Sequence, residues 1–114
     1  MGIISNDNTY QSCIDACLKC MQACYECFDA CLDEENISEK TDCIKMLIEC
    51  AKACEIAAVM MSLNGEYAID YCEICADVCE QCADECSSFE DDHCEKCADV
   101  CRTCAKACES MLSE

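Results

Sequence analysis

Nineteen of the 114 residues are cysteine, and they fall where a helical bundle normally places leucine. The stretch CIDACLKCMQACYECFDAC holds Cys13, Cys17, Cys20, Cys24, Cys27 and Cys31, at alternating steps of four and three. Three later segments repeat the pattern. One carries Cys43, Leu47, Cys50, Cys54, Ala57 and Met61; the next Cys72, Cys75, Cys79, Cys82 and Cys86; the last Cys94, Cys97, Cys101, Cys104, Cys108 and Met111. Steps of three and four trace the a/d seam of an amphipathic helix. In the second segment Leu, Ala and Met replace cysteine on the same seam, which shows that the seam faces a core.

Composition alone would argue against folding. Leu, Ile, Val and Phe together number only nineteen, and the formal net charge is −18. Such a balance ordinarily marks disorder. A free cysteine, however, behaves as a small buried hydrophobe. Counting the thiols as core doubles the apolar inventory, so core and chemistry are expected to be the same atoms. The seven basic residues are scattered among 25 acids. That excludes nucleic acid and anionic membrane surfaces as partners, because both require clustered positive charge. The acid excess reads first as a solvated outer face.

No apolar run approaches the ~18 residues of a membrane span. The N-terminus MGIISNDNTYQSC lacks the basic and apolar regions of a signal peptide. Its start is close to a myristoylation signal on Gly2, but Asn6 stands where Ser or Thr is required, and that match is set aside. A single domain, residues 1–114, is expected from the length.

The chain has no proline and only two glycines, so almost nothing interrupts helix. Helices are expected near 8–33, 38–63, 66–87 and 90–112. Asn36 and Glu39 have a capping-box spacing before the second. Asn64-Gly65 closes it. Ser87 or Ser88 is expected to cap the fourth, with acids in its first turn. Four amphipathic helices on short loops imply an all-α, antiparallel up-down four-helix bundle with a cysteine-lined core. A second stripe on helix one, Ile14, Leu18, Met21, Tyr25, Phe28 and Leu32, suits either packing within the bundle or a subunit interface.

Structural disulfides do not explain the array. Neighbours on one helix face have Cβ atoms ~5–6 Å apart, against ~3.5–4.5 Å in a disulfide. The cysteine count is odd, and thiols in a reducing compartment stay free. An inert core does not explain it either, since Leu or Ala would pack as well without oxidation. Single positions could still be spacers, and Cys43 and Cys54 on the thinnest row suit that role best. The remaining reading is soft metal: Cu(I), Zn(II) or iron–sulfur. Zn(II) wants four thiolates in a tetrahedron, leaving −2 at each buried site. Cu(I) accepts two, and paired one-to-one with bridging thiolates it leaves about zero charge. Uncompensated buried charge is costly. Iron–sulfur clusters gather four cysteines at one point and not in long rows.

The serial CxxxC and CxxC rows, with the sequence DDHCEKC at 91–97, resemble the bacterial copper storage proteins. The resemblance spans roughly Cys13 to Cys108. It implies a four-helix bundle holding many Cu(I) ions, about one per cysteine, in the cytosolic branch of the family. It also implies a homotetramer. All nineteen cysteines are candidate ligands. Up-down topology gathers Cys31, Cys43, Cys86 and Cys94 at one end beside His93, with Met46 near, and the resemblance implies that this end is the mouth. The other end gathers Cys13, Met60, Met61, Cys72 and Met111, with Tyr10 and Tyr71 nearby; its methionines are expected to plug it with apolar bulk. Apart from the single His93, no cysteine has a nearby catalytic His–Asp set, and there is no phosphate loop or dinucleotide fingerprint, so no enzyme is expected. Copper donors or acceptors, proteins or small thiols, are the expected partners. A zinc-binding buffer like metallothionein and a thiol redox switch are the rival readings.

Overall fold

The computed structural model describes residues 3–4 and 8–112. Gly2 and Asn6 lie outside the described residues. Four helices follow one another: α1 (Gln11–Leu32), α2 (Thr41–Ser62), α3 (Ala68–Ser87) and α4 (Asp92–Leu112), with a 3₁₀ turn at Ile37–Lys40 ahead of α2. α1 packs on α2 and α4, and α3 packs on the same two, so the helices stand at the corners of a square. The result is the antiparallel up-down bundle, 47 × 25 × 18 Å. No helix among the described residues is long and apolar enough to cross a membrane.

Each helix begins two or three residues later than its periodicity suggests. The reason is the same at every start. The chain enters through a tight turn bonded from residue i to i−3: Gln11 to Asn8, Glu39 to Asn36, Ala68 to Gly65 and Cys94 to Asp91. With no proline to mark the boundary, apolar periodicity continues through these turns. The capping box at Asn36 and Glu39 does not form, and their contact is backbone to backbone. Ser87 and Ser88 belong to the end of α3 and not to the start of α4: their hydroxyls donate to the Asp84 and Glu85 carbonyls. The acids Asp92 and Glu95 do occupy the first turn of α4, where the helix dipole favours them.

The stop after α2 is a two-bond Schellman cap. Asn64 N–H donates to the Met61 carbonyl at 3.0 Å and Gly65 N–H to Met60 at 2.9 Å. Asn64 takes the left-handed conformation, φ 51°. Gly65 serves by size: a Cβ there would lie 3.3 Å from the Met60 carbonyl oxygen.

The core is the cysteine seam. All nineteen thiols are buried, together with Leu47, Ala57 and Met61 on the thinner row of α2. Beside the seam runs a stripe of buried alanines, Ala51 and Ala58 on α2, Ala76 and Ala83 on α3, Ala98 and Ala105 on α4. Each pair is seven residues apart, and the small side chains let the backbones approach. On α1 the second stripe behaves differently. Ile14 is buried, but Leu18, Tyr25 and Leu32 are 36–48% exposed.

Candidate metal centre

Alternating three- and four-residue steps keep each helix's sulfurs on one inward stripe, so four stripes meet on the bundle axis. Cys13 lies 3.7 Å from Cys108, which is also 3.7 Å from Cys17. Cys20 is 3.9 Å from Cys50 and 3.8 Å from Cys101. Cys54 is 3.7 Å from Cys75, 3.8 Å from Cys79 and 3.9 Å from Cys104. Cys24 and Cys97 both reach Cys101 at 4.0 Å, and Cys43 reaches Cys86 at 3.8 Å. Diagonally opposed helices meet through their sulfurs: Cys17 on α1 is 4.0 Å from Cys75 on α3, and the Cys54–Cys104 contact joins α2 to α4. Every cysteine is a free thiol.

Several sets of four groups have all ligand atoms within 4.8 Å of one another. They include Cys17, Cys75, Cys104 and Cys108; Cys20, Cys24, Cys50 and Cys101; Cys20, Cys50, Cys54 and Cys79; and Cys54, Cys75, Cys79 and Cys104. These sets share members. Cys20 and Cys50 belong to two, as do Cys54, Cys79, Cys75 and Cys104. They cannot all close as separate tetrahedra, and filling the array requires sulfurs that bridge two ions. Cys54, which the sequence marked as a spacer, is among the most connected thiols. Sequence spacing could not show this, because its partners come from α3 and α4.

Burial favours neutral thiols at the His93 end of the bundle. Burial pushes the Cys31 thiol up, and it pushes Cys94 to about 12 with help from the neighbouring Cys31. Toward the other end, hydrogen bonds from Cys108 and Cys17 bring Cys104 down to about 7.

At the predicted mouth, His93 Nε2 lies 3.7 Å from Cys31 Sγ and 3.3 Å from Glu34 Oε1. His93 joins Cys27, Cys31 and Cys94 in one four-group set. The unforeseen member is Lys40. It is fully buried, hydrogen-bonds Asp91, lies 3.9 Å from Glu34, and sits 5.2 Å from the Phe89 ring centroid. Glu34 and Asp91 thus stand between the Lys40 ammonium and the His93 ring. Nothing in DEENISEK marks this lysine, one of several charges in a polar loop, as buried. At the opposite end Met61 is fully buried, with Met60 and Met111 partly so beside Tyr10 and Tyr71, consistent with an apolar plug.

The family model for copper storage proteins matches residues 6–113. The chain belongs to the copper storage protein family. The Cu(I)-bound copper storage protein BsCsp3 is 41% identical over 91% of this chain and 99% of its own, with a TM-score of 0.87. The apo copper storage protein 3 from Bacillus subtilis is likewise 41% identical, over 90% of this chain and 97% of its own, with a TM-score of 0.85. A cytosolic copper storage protein from Streptomyces lividans, carrying five coppers, is 37% identical over 92% of each chain, with a TM-score of 0.88. No curated protein sequence matches it.

Proposed function

We propose that this copper storage protein sequesters Cu(I) along its whole core, about one ion per cysteine, with all nineteen thiols as ligands and His93 at the mouth. The observation that carries this is the sharing of sulfurs between neighbouring four-group sets. A shared sulfur must bridge, and bridging thiolates suit Cu(I), which tolerates low coordination and leaves the core near neutral. Zinc in the same array would leave sulfurs unused or accumulate negative charge. The role is storage and not catalysis. Membership of the copper storage family supports this, as does His93, which is held by Cys31 and Glu34.

The chain acts as one domain and in the cytosol, as the Streptomyces lividans protein is described. It assembles as a homo-oligomer, a tetramer on the family resemblance. The exposed α1 face supports this: Leu18, Met21 and Tyr25 line an open surface cavity of ≈ 570 Å³.

The test is an anaerobic titration of the reduced protein with Cu(I) against a competing chelator. Saturation near one copper per cysteine is expected. Saturation at a handful of ions would overturn the many-site store.

A further inference from the structure

The thiols come nearest the surface along one flank of the bundle that runs back from His93, between α1 and α4. Four of the nineteen cysteines show any exposure at all: Cys13, Cys27, Cys97 and Cys104, each at 1–2%. Three of these four line the seam between α1 and α4. A groove of ≈ 500 Å³ there is lined by Lys19, Ala23, Cys27, His93, Lys96, Cys97 and Val100, among others. A second cavity of ≈ 240 Å³ continues it and shares Lys19 and Val100, with Cys104 on its wall. By contrast, the cavity between α2 and α3 reaches no cysteine.

The groove is also electrostatically unusual. The chain carries −18, which repels anions from most of its surface. Yet two of its seven basic residues, Lys19 and Lys96, stand on this groove. Lys19 makes no ion pair among the described residues. Lys96 pairs with Asp92 at 3.0 Å, but both side chains are more than three-quarters exposed, so the pair is weak and available for exchange. Glu26 is the one carboxylate on the larger groove, and Asp99 the one on its continuation, where Arg102 lies 3.7 Å from it. Small size, an apolar wall of Ala23 and Val100, two flanking ammoniums and two thiols on the wall describe a site for a small anion that carries something thiols want. The volume falls within the ~300–1,000 Å³ range of small-molecule sites.

We propose that the α1–α4 groove is a lateral docking site for a Cu(I) complex of a small thiol bearing carboxylates, with Cys27 and Cys97 the first protein sulfurs to take the metal. The assignment rests on the copper-storage reading. The step is a ligand exchange without redox. Two Cu–S bonds to the carrier break and two form, to Cys27 and Cys97. The two cysteine protons leave on the two carrier thiols, so charge and copper oxidation state are unchanged. Onward paths are already in place. Cys27 belongs to the set with Cys31, His93 and Cys94, and Cys97 lies 4.0 Å from Cys101 on the central rows. Lys19 and Lys96 position the carrier and touch no metal.

The experiment follows anaerobic copper uptake by the full-length apo chain in stopped flow. Copper is supplied either as the Cu(I)–glutathione complex, which is anionic, or as the Cu(I)–mercaptoethanol complex, whose ligand carries no carboxylate. For the Lys19→Glu/Lys96→Glu variant, the ratio of the glutathione rate to the mercaptoethanol rate should fall about ten-fold or more. The Lys45→Glu/Lys52→Glu variant, with the same change in net charge on α2, should lower that ratio far less. Val100→Trp, which fills the groove, should slow uptake from both carriers. A parental ratio in the first variant, an equal fall in the second, or parental rates in the third would each overturn the proposal. If charge reversal costs helicity by circular dichroism, Lys19→Gln/Lys96→Gln takes its place, and an unchanged ratio there is equally decisive. Saturation of the parent at a handful of ions, read from amplitude and not rate, would remove the storage reading and the groove's role with it.

Discussion

Loading the core should exchange protons for copper one for one. All nineteen sulfurs are at most 2% exposed, and the one buried charged residue among the described residues, Lys40, sits at the end of the bundle against Asp91. A thiolate in the middle of the resting bundle would have no compensating charge, at a cost of several kcal/mol. Hydrogen bonds do divide the thiols into donors and acceptors; the Cys101 contact pulls Cys20 down while Cys20 pushes Cys101 up. That is a division of hydrogen-bonding roles: each sulfur keeps its own proton at rest, because a buried thiolate there is uncompensated. Each Cu(I) that enters must then displace about one proton once every thiolate bridges two ions, giving about nineteen protons at saturation. The net charge stays near −18. Four-thiolate zinc sites would release about four protons per ion and add two negative charges per site. The assay is an anaerobic pH-stat titration near pH 6.5, below the ordinary thiol range and below Cys104 at about 7, using a copper complex whose ligand does not take up protons. Early additions should release between one and two protons each, since an isolated copper takes two thiols, and the cumulative ratio should converge on one. Electrophoretic mobility of the native protein should barely change. A cumulative ratio near one-half would show that thiolates pre-exist in the core. A ratio held at two or above would show that charge accumulates. Either refutes the neutral-core reasoning.

Other outcomes follow from named residues. Cys50→Ser, in the middle of the α2 row, should lower capacity by about one ion, and Leu47→Cys on the same fully buried row should raise it by about one; total loss of copper from the first would contradict a distributed store. Lys40→Met should destabilise the apo-protein by about 1–3 kcal/mol in urea unfolding. Asp91 and Glu34 lose their cation but remain partly exposed, so the figure lies below that for a fully buried broken pair; an unchanged midpoint would show the ion pair to be idle. The apo-protein should also lose stability in alkali. Cys94 titrates near 9 when unfolded and at about 12 in the bundle, so the folded state holds the extra proton between those values. Its contribution is complete below about pH 9 and is lost as the pH rises toward 12, by up to about 1.36 kcal/mol per unit. A melting temperature that rose across that range would reverse the sign.

Much of this protein is legible in one dimension because its chemistry and its core are the same residues. Alternating steps of three and four place Cys13 to Cys31, Cys72 to Cys86 and Cys94 to Cys108 on single helix faces, whatever lies opposite. Leu47, Ala57 and Met61 on the α2 row show that those faces are interior. Short loops between such helices leave little but an up-down bundle. Helix starts were less legible, since the tight turns at Asn8, Asn36, Gly65 and Asp91 carry no breaker. Contacts between rows needed the third dimension. That Cys54 touches Cys75, Cys79 and Cys104 depends on the rotation and register of three helices, which spacing along any one of them does not contain. Lys40 is buried because Asp91, fifty-one residues away, and Glu34 fold around it. The groove at Lys19 and Lys96 exists because α1 and α4 meet less closely than their neighbours do. Periodicity is a property of one helix and is written in its sequence. A pocket, an ion pair or a shared sulfur belongs to at least two helices and is decided only when they pack.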